Sequence, residues 1–418
     1  MAGAADIHPM HLRALLTILV SVPLAACAIE APAPVLEARD VDSPAGPDSG
    51  EPFVFVSGNG LYLSWLERAE HGGHDLLFAH LGDGVWSAPR TVASSERFLV
   101  NWADFPSITT GPDGALWAHW LERGETGGYD YGVRISRSAD EGTTWSLPWT
   151  PHDDGTPTEH GFVSSMPMNG GKGYVWLDGR GYAPTVGGAD PATEEMALYF
   201  RVMGADGPAS GEVRMDARVC DCCQTDAALT AAGPAVVYRD RSPDEVRDIY
   251  ITRWTGGVWS PGAPVHADGW ETGACPVNGP AIAAQGDQVA VAWFTAAEGI
   301  PRVKVAFSTD SGAHFGEPTL VDSGDPAGRV DLLMLEDGSV LVSWLERTGG
   351  EWAEVLVRYV SPNGQAGEPL SVSRATSERA SGFPRIGSLP GGGALVAWTD
   401  VAGPAPRVRL AAIEVTPK

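Results

Sequence analysis

Lysine is almost missing from this chain, with three in 418 residues, at 172, 304 and 418. Basic side chains number 28 against 53 carboxylates, a net charge of −25. A surface that acidic repels phosphate backbones and anionic headgroups, which excludes nucleic-acid partners and charge-driven membrane docking. Long apolar runs are missing too: the longest, residues 14–22, is too short to span a bilayer. No amphipathic pattern of helical period and ordinary helix length follows it. Cysteine is sparse, five residues, and four of them crowd into two short segments. Turn formers are plentiful: 52 Gly and 33 Pro, without a collagen period or low complexity, mark a folded, turn-rich chain.

Residues 10–27 place one basic residue, Arg13, ahead of the apolar run, the plan of an export signal. The run ends in Leu24-Ala25-Ala26-Cys27, which resembles the bacterial lipobox. That resemblance implies cleavage before Cys27 and a lipid on it. Ala28, in place of Asp, implies the outer membrane by analogy with Gram-negative lipoproteins. The alternative is an ordinary signal with an incidental Cys. The expected division is a signal peptide over 1–26, a lipidated tether and closing strand over 27–50, and one domain over 51–418. The expected address is the cell envelope, held by lipid alone, as a monomer.

One motif recurs along the domain: LYLSWLER (61–68), LWAHWLER (116–123), YVWLDGR (174–180), AVVYRDR (235–241), VAVAWFT (289–295), VLVSWLER (340–347) and ALVAWTD (394–400). Its aromatic anchors fall at 65, 120, 176, 238, 293, 344 and 398. Each repeat reads as four short strands parted by Gly-rich turns, the signature of a propeller blade. The last repeat holds only three strands, and PVLEARD (34–40) is the donor of the fourth, closing the ring and removing its open edges. The expected fold is an all-β propeller of four-stranded blades, seven in number, with six as the alternative.

Two turns add a family resemblance. Ser138-Ala-Asp140-Glu-Gly142-Thr-Thr144-Trp145 fits the Asp-box pattern S-x-D-x-G-x-T-W, and Ser308-Thr-Asp310-Ser-Gly312-Ala-His314-Phe315 fits it with His in the Thr place. Over 34–418 the chain resembles the sialidase-like (BNR, Asp-box) propellers. That family's chemistry does not transfer residue by residue. Its F/Y-R-I-P motif is absent, Phe383-Pro384-Arg385-Ile386 being a scrambled near-match at the wrong end. Tyr359 is the only Tyr in the last two repeats, and no Tyr–Glu pair stands out where a blade begins.

In a propeller, the loops leading into each innermost strand and those joining the second and third strands open on one face. Polar residues at those phases give a candidate ligand set of Asp104, Arg239, Asp240, Arg241, Asn278 and Arg385. Glu67-Arg68, Glu122-Arg123 and Glu346-Arg347 repeat after a strand Trp and read as ion pairs between neighbouring blades. Cys220, Cys222, Cys223 and Cys275 share one phase of adjacent blades. They form either disulfides, Cys275 with one of the three and the other two together, or a thiolate site for Cu or Zn with His160 as an added ligand. The spacing C-x-C-C matches no standard zinc module. Two functions stay open at this level: an envelope-anchored propeller binding a small molecule, glycan, metal or protein in its axial funnel, or an exo-glycosidase of sialidase type acting on acidic sugars.

Overall fold

The computed structural model describes residues 32–418 apart from Asn59, His71 and 184–193, together with Met1 and Gly3. Cys27 and the expected export signal lie outside the described residues. Residues 33–418 make one compact unit.

Seven antiparallel sheets follow one another along that unit, each a blade, and in the first six the strands run in chain order from the inside outward. The innermost strands are Ser49–Ser57, Ser107–Thr110, His160–Met168, Asp226–Thr230, Ala281–Gln285, Pro326–Met334 and Arg385–Ser388. Blades one, three and four split the outer strand into two pieces, and blade two replaces it with a single bridge, Ile135 to Trp149. In blade seven the outer strand is Val35–Val41, paired antiparallel with Arg407–Thr416 from Val35 opposite Thr416 to Val41 opposite Leu410. The ring thus closes with chain from its two ends, and the seven-bladed expectation holds.

The repeated second strand has a physical reason. All seven anchors, Trp65, Trp120, Trp176, Tyr238, Trp293, Trp344 and Trp398, are buried between blades, and a buried indole N–H needs an acceptor. Trp65 Nε1 donates to Glu67 (3.1 Å), Trp120 to Glu122 (3.3 Å), Trp176 to Asp178 (2.7 Å) and Trp344 to Glu346 (2.6 Å). In these four blades the acid two residues after the Trp caps its own blade's indole, whereas Trp293 donates to Asp268 (2.6 Å) and Trp398 Nε1 finds no partner among the described residues. This corrects the expectation of ion pairs between blades: Arg68 and Arg123 are exposed, and Arg347 reaches Asp325 of its own blade.

Both Asp boxes are turns between the third and fourth strands. Ser138 Oγ accepts from Gly142 N (2.8 Å), and Asp140 accepts from Thr144 N (2.9 Å) and Thr144 Oγ1 (2.7 Å). In the second box His314 Nδ1, 2.7 Å from Asp310 Oδ2, replaces the Thr hydroxyl. Gly142 sits at φ +82°, and a Cβ there would strike the Phe78 ring.

Blade-to-blade seams near the axis are sewn by side chains. Asp104 Oδ2 accepts from Phe162 N (2.8 Å), Asp226 Oδ2 from Ile282 N (2.8 Å), Asn278 Oδ1 from Arg329 N (2.7 Å) and Asp331 Oδ2 from Ile386 N (2.9 Å). Inner strands of neighbouring blades diverge too far for a ladder, so their edge N–H groups take side-chain acceptors instead.

Candidate functional site

The ladder register defines one level of the ring. Opposite the residue just before each anchor stand Phe53, Ser107, Ser164, Asp226, Ala281, Asp331 and Arg385, one per blade. Six of these seven line a central chamber of about 210 Å³, to which every blade contributes. Its walls add Thr109, His119, Ser165, Gln224 and Thr225 to the polar set, and Phe105 and Phe383 to the aromatic one. On the side of the loops leading into the inner strands, Gln224 crosses the axis: Nε2 donates to Ala103 O (2.6 Å) and Oε1 accepts from Gly279 N (2.9 Å). Trp102 and Phe383 stack there at 5.9 Å. Toward the opposite face the chamber shares Val54, Phe55, Ser165, Ala227, Ile282 and Ile386 with a wider space of about 500 Å³.

Arg385 is the one member of the candidate ligand set in this chamber. Its guanidinium carbon lies 5.0 Å from the Phe53 ring centre and 5.1 Å from that of Phe105. Nε stands 3.1 Å from Asp331 Oδ2, but the N–H is not aimed at that oxygen and makes no hydrogen bond. No described residue accepts a hydrogen bond from its terminal nitrogens. Burial raises the carboxyl of Asp331, and that of Asp226 to about 6, with the Arg385 charge opposing the rise in both. One cation and two carboxyls thus meet at one level of the axis.

The other candidates are placed elsewhere. Arg239 is 2% exposed and donates to three carbonyls: Asn278 O (2.8 and 3.0 Å), Arg247 O (2.5 Å) and Phe294 O (2.6 Å). Its guanidinium is consumed by the blade four to five seam, over the Trp270 ring. Asn278 is consumed likewise, donating to Pro276 O and Ala327 O at 3.2 Å each. Asp104 is the seam acceptor for Phe162, and burial raises it to about 7. Arg241 is tied to Glu245 (2.8 Å) and Asp221 (3.4 Å). Asp240 lies beside it outside the chamber, raised to about 7 by burial and then by Asp216. Among the described residues no three-arginine clamp for a carboxylate forms.

A Tyr–Glu pair does occur where blade three begins: Tyr131 Oη donates to Glu159 Oε2 (3.0 Å). Burial and the nearby carboxyls push the phenol up, and neither residue lines the chamber. His160 does not join the cysteines. Its Nδ1 faces Thr158 O (3.0 Å) and its Nε2 faces Asp154 Oδ1 (3.0 Å), with Asp178 at 3.6 Å. Against the lowering by burial, the Asp154 and Asp178 carboxylates raise its pKa. His152 stacks on it at 3.8 Å and accepts the Val133 N–H at Nε2.

The four cysteines are brought together across blades four and five. Cys220 pairs with Cys223 (Cα–Cα 5.8 Å) and Cys222 with Cys275 (6.2 Å), the second bridge spanning 53 residues. None of the four lines the chamber.

No protein-family model matches the chain, and no curated protein matches it in sequence. Among solved structures it is similar to a protein of unknown function from Dyadobacter fermentans, 16% identical, with a TM-score of 0.50 over 90% of this chain and 99% of that one. It is also similar to a polysaccharide lyase, 11% identical, TM-score 0.51, over 88% and 90%. The Trypanosoma rangeli sialidase, 11% identical, reaches a TM-score of 0.44 over 79% of this chain and 56% of that one. At these identities the likeness is one of fold. In fold the protein is a β-propeller of seven blades, two of which carry turns of the Asp-box pattern.

Proposed function

We propose that the protein is a binding propeller whose axial chamber takes a small, neutral, polyhydroxylated ligand of monosaccharide size. The observation that supports this is Arg385: a guanidinium with unpartnered terminal N–H groups, between two aromatic faces and beside two carboxyls. Donors, acceptors and aromatic faces at one level suit sugar hydroxyls and C–H faces. The chamber is smaller than the ~300 Å³ at which drug-sized pockets begin. Charge decides between sugar classes. Two carboxyls against one guanidinium disfavour an anionic guest, and a carboxylate clamp would need more arginine than is present.

The experiment is a thermal-shift panel on the full chain at pH 7, with glucose, galactose, rhamnose, glucuronate and sialic acid as probes. A neutral sugar is expected to raise the melting temperature and the two acids to leave it unchanged. A shift confined to the acids would overturn the charge assignment.

Glycoside hydrolysis is the second reading, favoured by one observation: Asp226 and Asp331 are two carboxyls at one level of the chamber, both raised by burial. Each already accepts a backbone N–H in a seam, which places them as structural first. Release of nitrophenol from aryl glycosides, abolished by Asp226→Asn, would promote it over simple binding.

Display in the cell envelope through a lipid on Cys27 belongs to the same proposal. Among the described residues no helix is long and apolar enough to cross a membrane. A Cys27→Ser form is expected in the soluble envelope fraction, and its retention in membranes would contradict the lipid anchor.

A further inference from the structure

Beside the chamber, four cysteines carry more chemistry than a pair of staples needs. The Sγ atoms of Cys220, Cys222 and Cys223 all lie within 4.8 Å of one another, and Cys275 is bonded to the middle one. Around a zinc with Zn–S of about 2.3 Å, tetrahedral sulfurs stand roughly 3.8 Å apart. Three sulfurs are already this close, and the fourth is bonded to one of them. Only Cys222–Cys275 crosses the blade four to five seam; Cys220–Cys223, three residues apart, is a local bridge beside it.

Its backbone is fixed from several sides. Cys220 N donates to Arg239 O (3.0 Å) and Val219 N to Met196 O (2.9 Å), while Gln224 is pinned across the axis. Cys220 and Cys223 are each 1% exposed, and Cys222 packs in the same apolar cluster as Val277. Cys275, on the neighbouring blade, is exposed and gives solvent access. A second observation points to thiolate. The buried Arg247 guanidinium places Nη1 3.7 Å from Cys220 Sγ, with Asp221 at 3.6 Å and Glu245 at 2.9 Å as its other partners. A cation set against sulfur favours the thiolate over the thiol, and it offsets the negative charge of a metal–thiolate complex.

We propose that Cys220, Cys222, Cys223 and Cys275 form a redox-gated site for a thiophilic d10 cation, Cu(I) or Zn(II), for which the two disulfides are the closed, oxidised state. Opening consumes two electrons and two protons per bridge, supplied by an external dithiol that leaves as its own disulfide. Binding of the cation then releases the thiol protons to solvent. The site is independent of the axial ligand, since none of its residues lines the chamber.

The test uses the full chain, reduced with a dithiol, desalted without oxygen, and titrated with Zn(II) or with Cu(I) against a chromophoric chelator. One equivalent of cation per chain is expected to be held. Cys222→Ser should weaken retention at least tenfold and Arg247→Met by a smaller factor. Because reduction or substitution can loosen the fold, melting curves run alongside: one equivalent of cation is expected to restore the melting transition that reduction lowers. Retention of both cations no better than by a variant with Ser at all four positions overturns the site. So does a reduced chain whose melting is unmoved by either cation, for the disulfides are then staples only.

Discussion

Arg239 and Arg385 carry the same side chain at two levels of one ring and do opposite jobs. Arg239 spends its donors on three carbonyls of the blade four to five seam, so Arg239→Met leaves buried acceptors unpaired. It is expected to cost about 3–5 kcal/mol in chemical denaturation without involving the chamber. Arg385 holds nothing together by hydrogen bonds. Spacing separates them: Arg239 directly follows its anchor Tyr238, whereas Arg385 precedes Trp398 by 13 residues. The level of the chamber was thus countable: Phe53, Ser107, Ser164, Asp226, Asp331 and Arg385, with Ala281 at the same level but not in the chamber wall, precede their anchors by 12 or 13 residues. Choosing polar residues by proximity to strand starts picked the seam acceptors Asp104 and Asn278 instead, and passed over Asp226.

Buried acids, Asp104 and Asp226 of the seams among them, also set a pH dependence. Burial raises Glu51, Asp104, Glu159 and Asp240 to about 7 and Asp226 to about 6. At these five groups the folded state binds more protons than the unfolded chain between pH ~4 and 7, while buried His119, pushed down to about 3, works the other way below pH ~6.5. Their contribution is fully present below pH ~4 and is lost as pH rises through 7, so the protein should melt higher at pH 5 than at pH 8. Asp104→Asn keeps an oxygen for the Phe162 N–H and removes the titration. It should narrow the difference between the two pH values by on the order of 2–4 kcal/mol. An unchanged difference would mean that Asp104 is not the buried acid described here.

At the scale of elements, the closing strand carries the sharpest prediction. Val35–Val41 covers the edge of Arg407–Thr416 and is the only chain segment that does so among the described residues. Deleting 28–42 exposes that edge and opens the ring, and should lower the melting temperature by several degrees and promote aggregation. A deletion that melts as the intact chain does would refute closure by this strand. This element was legible because the last repeat is one strand short by simple counting. The outer strand of blade two was less so: Ile135 to Trp149 is a single bridge, and strand patterns fail where one pair of residues replaces a ladder. The WLER repeats misled for a related reason. Adjacent Glu and Arg look like a charge pair in sequence, but the Glu is drawn inward by an indole N–H while the Arg remains in solvent.

Over the whole molecule, the ring gathers residues from seven blades into one chamber that no single repeat encodes. The central claim is that Arg385 holds a ligand there. The most direct test is a calorimetric titration of wild type and Arg385→Met, side by side at pH 7, with the neutral sugar that gives the largest thermal shift. The expected result is a loss of at least tenfold in affinity in the variant, with its melting temperature within a few degrees of wild type. Equal affinity in the two proteins would place the ligand elsewhere and contradict the account.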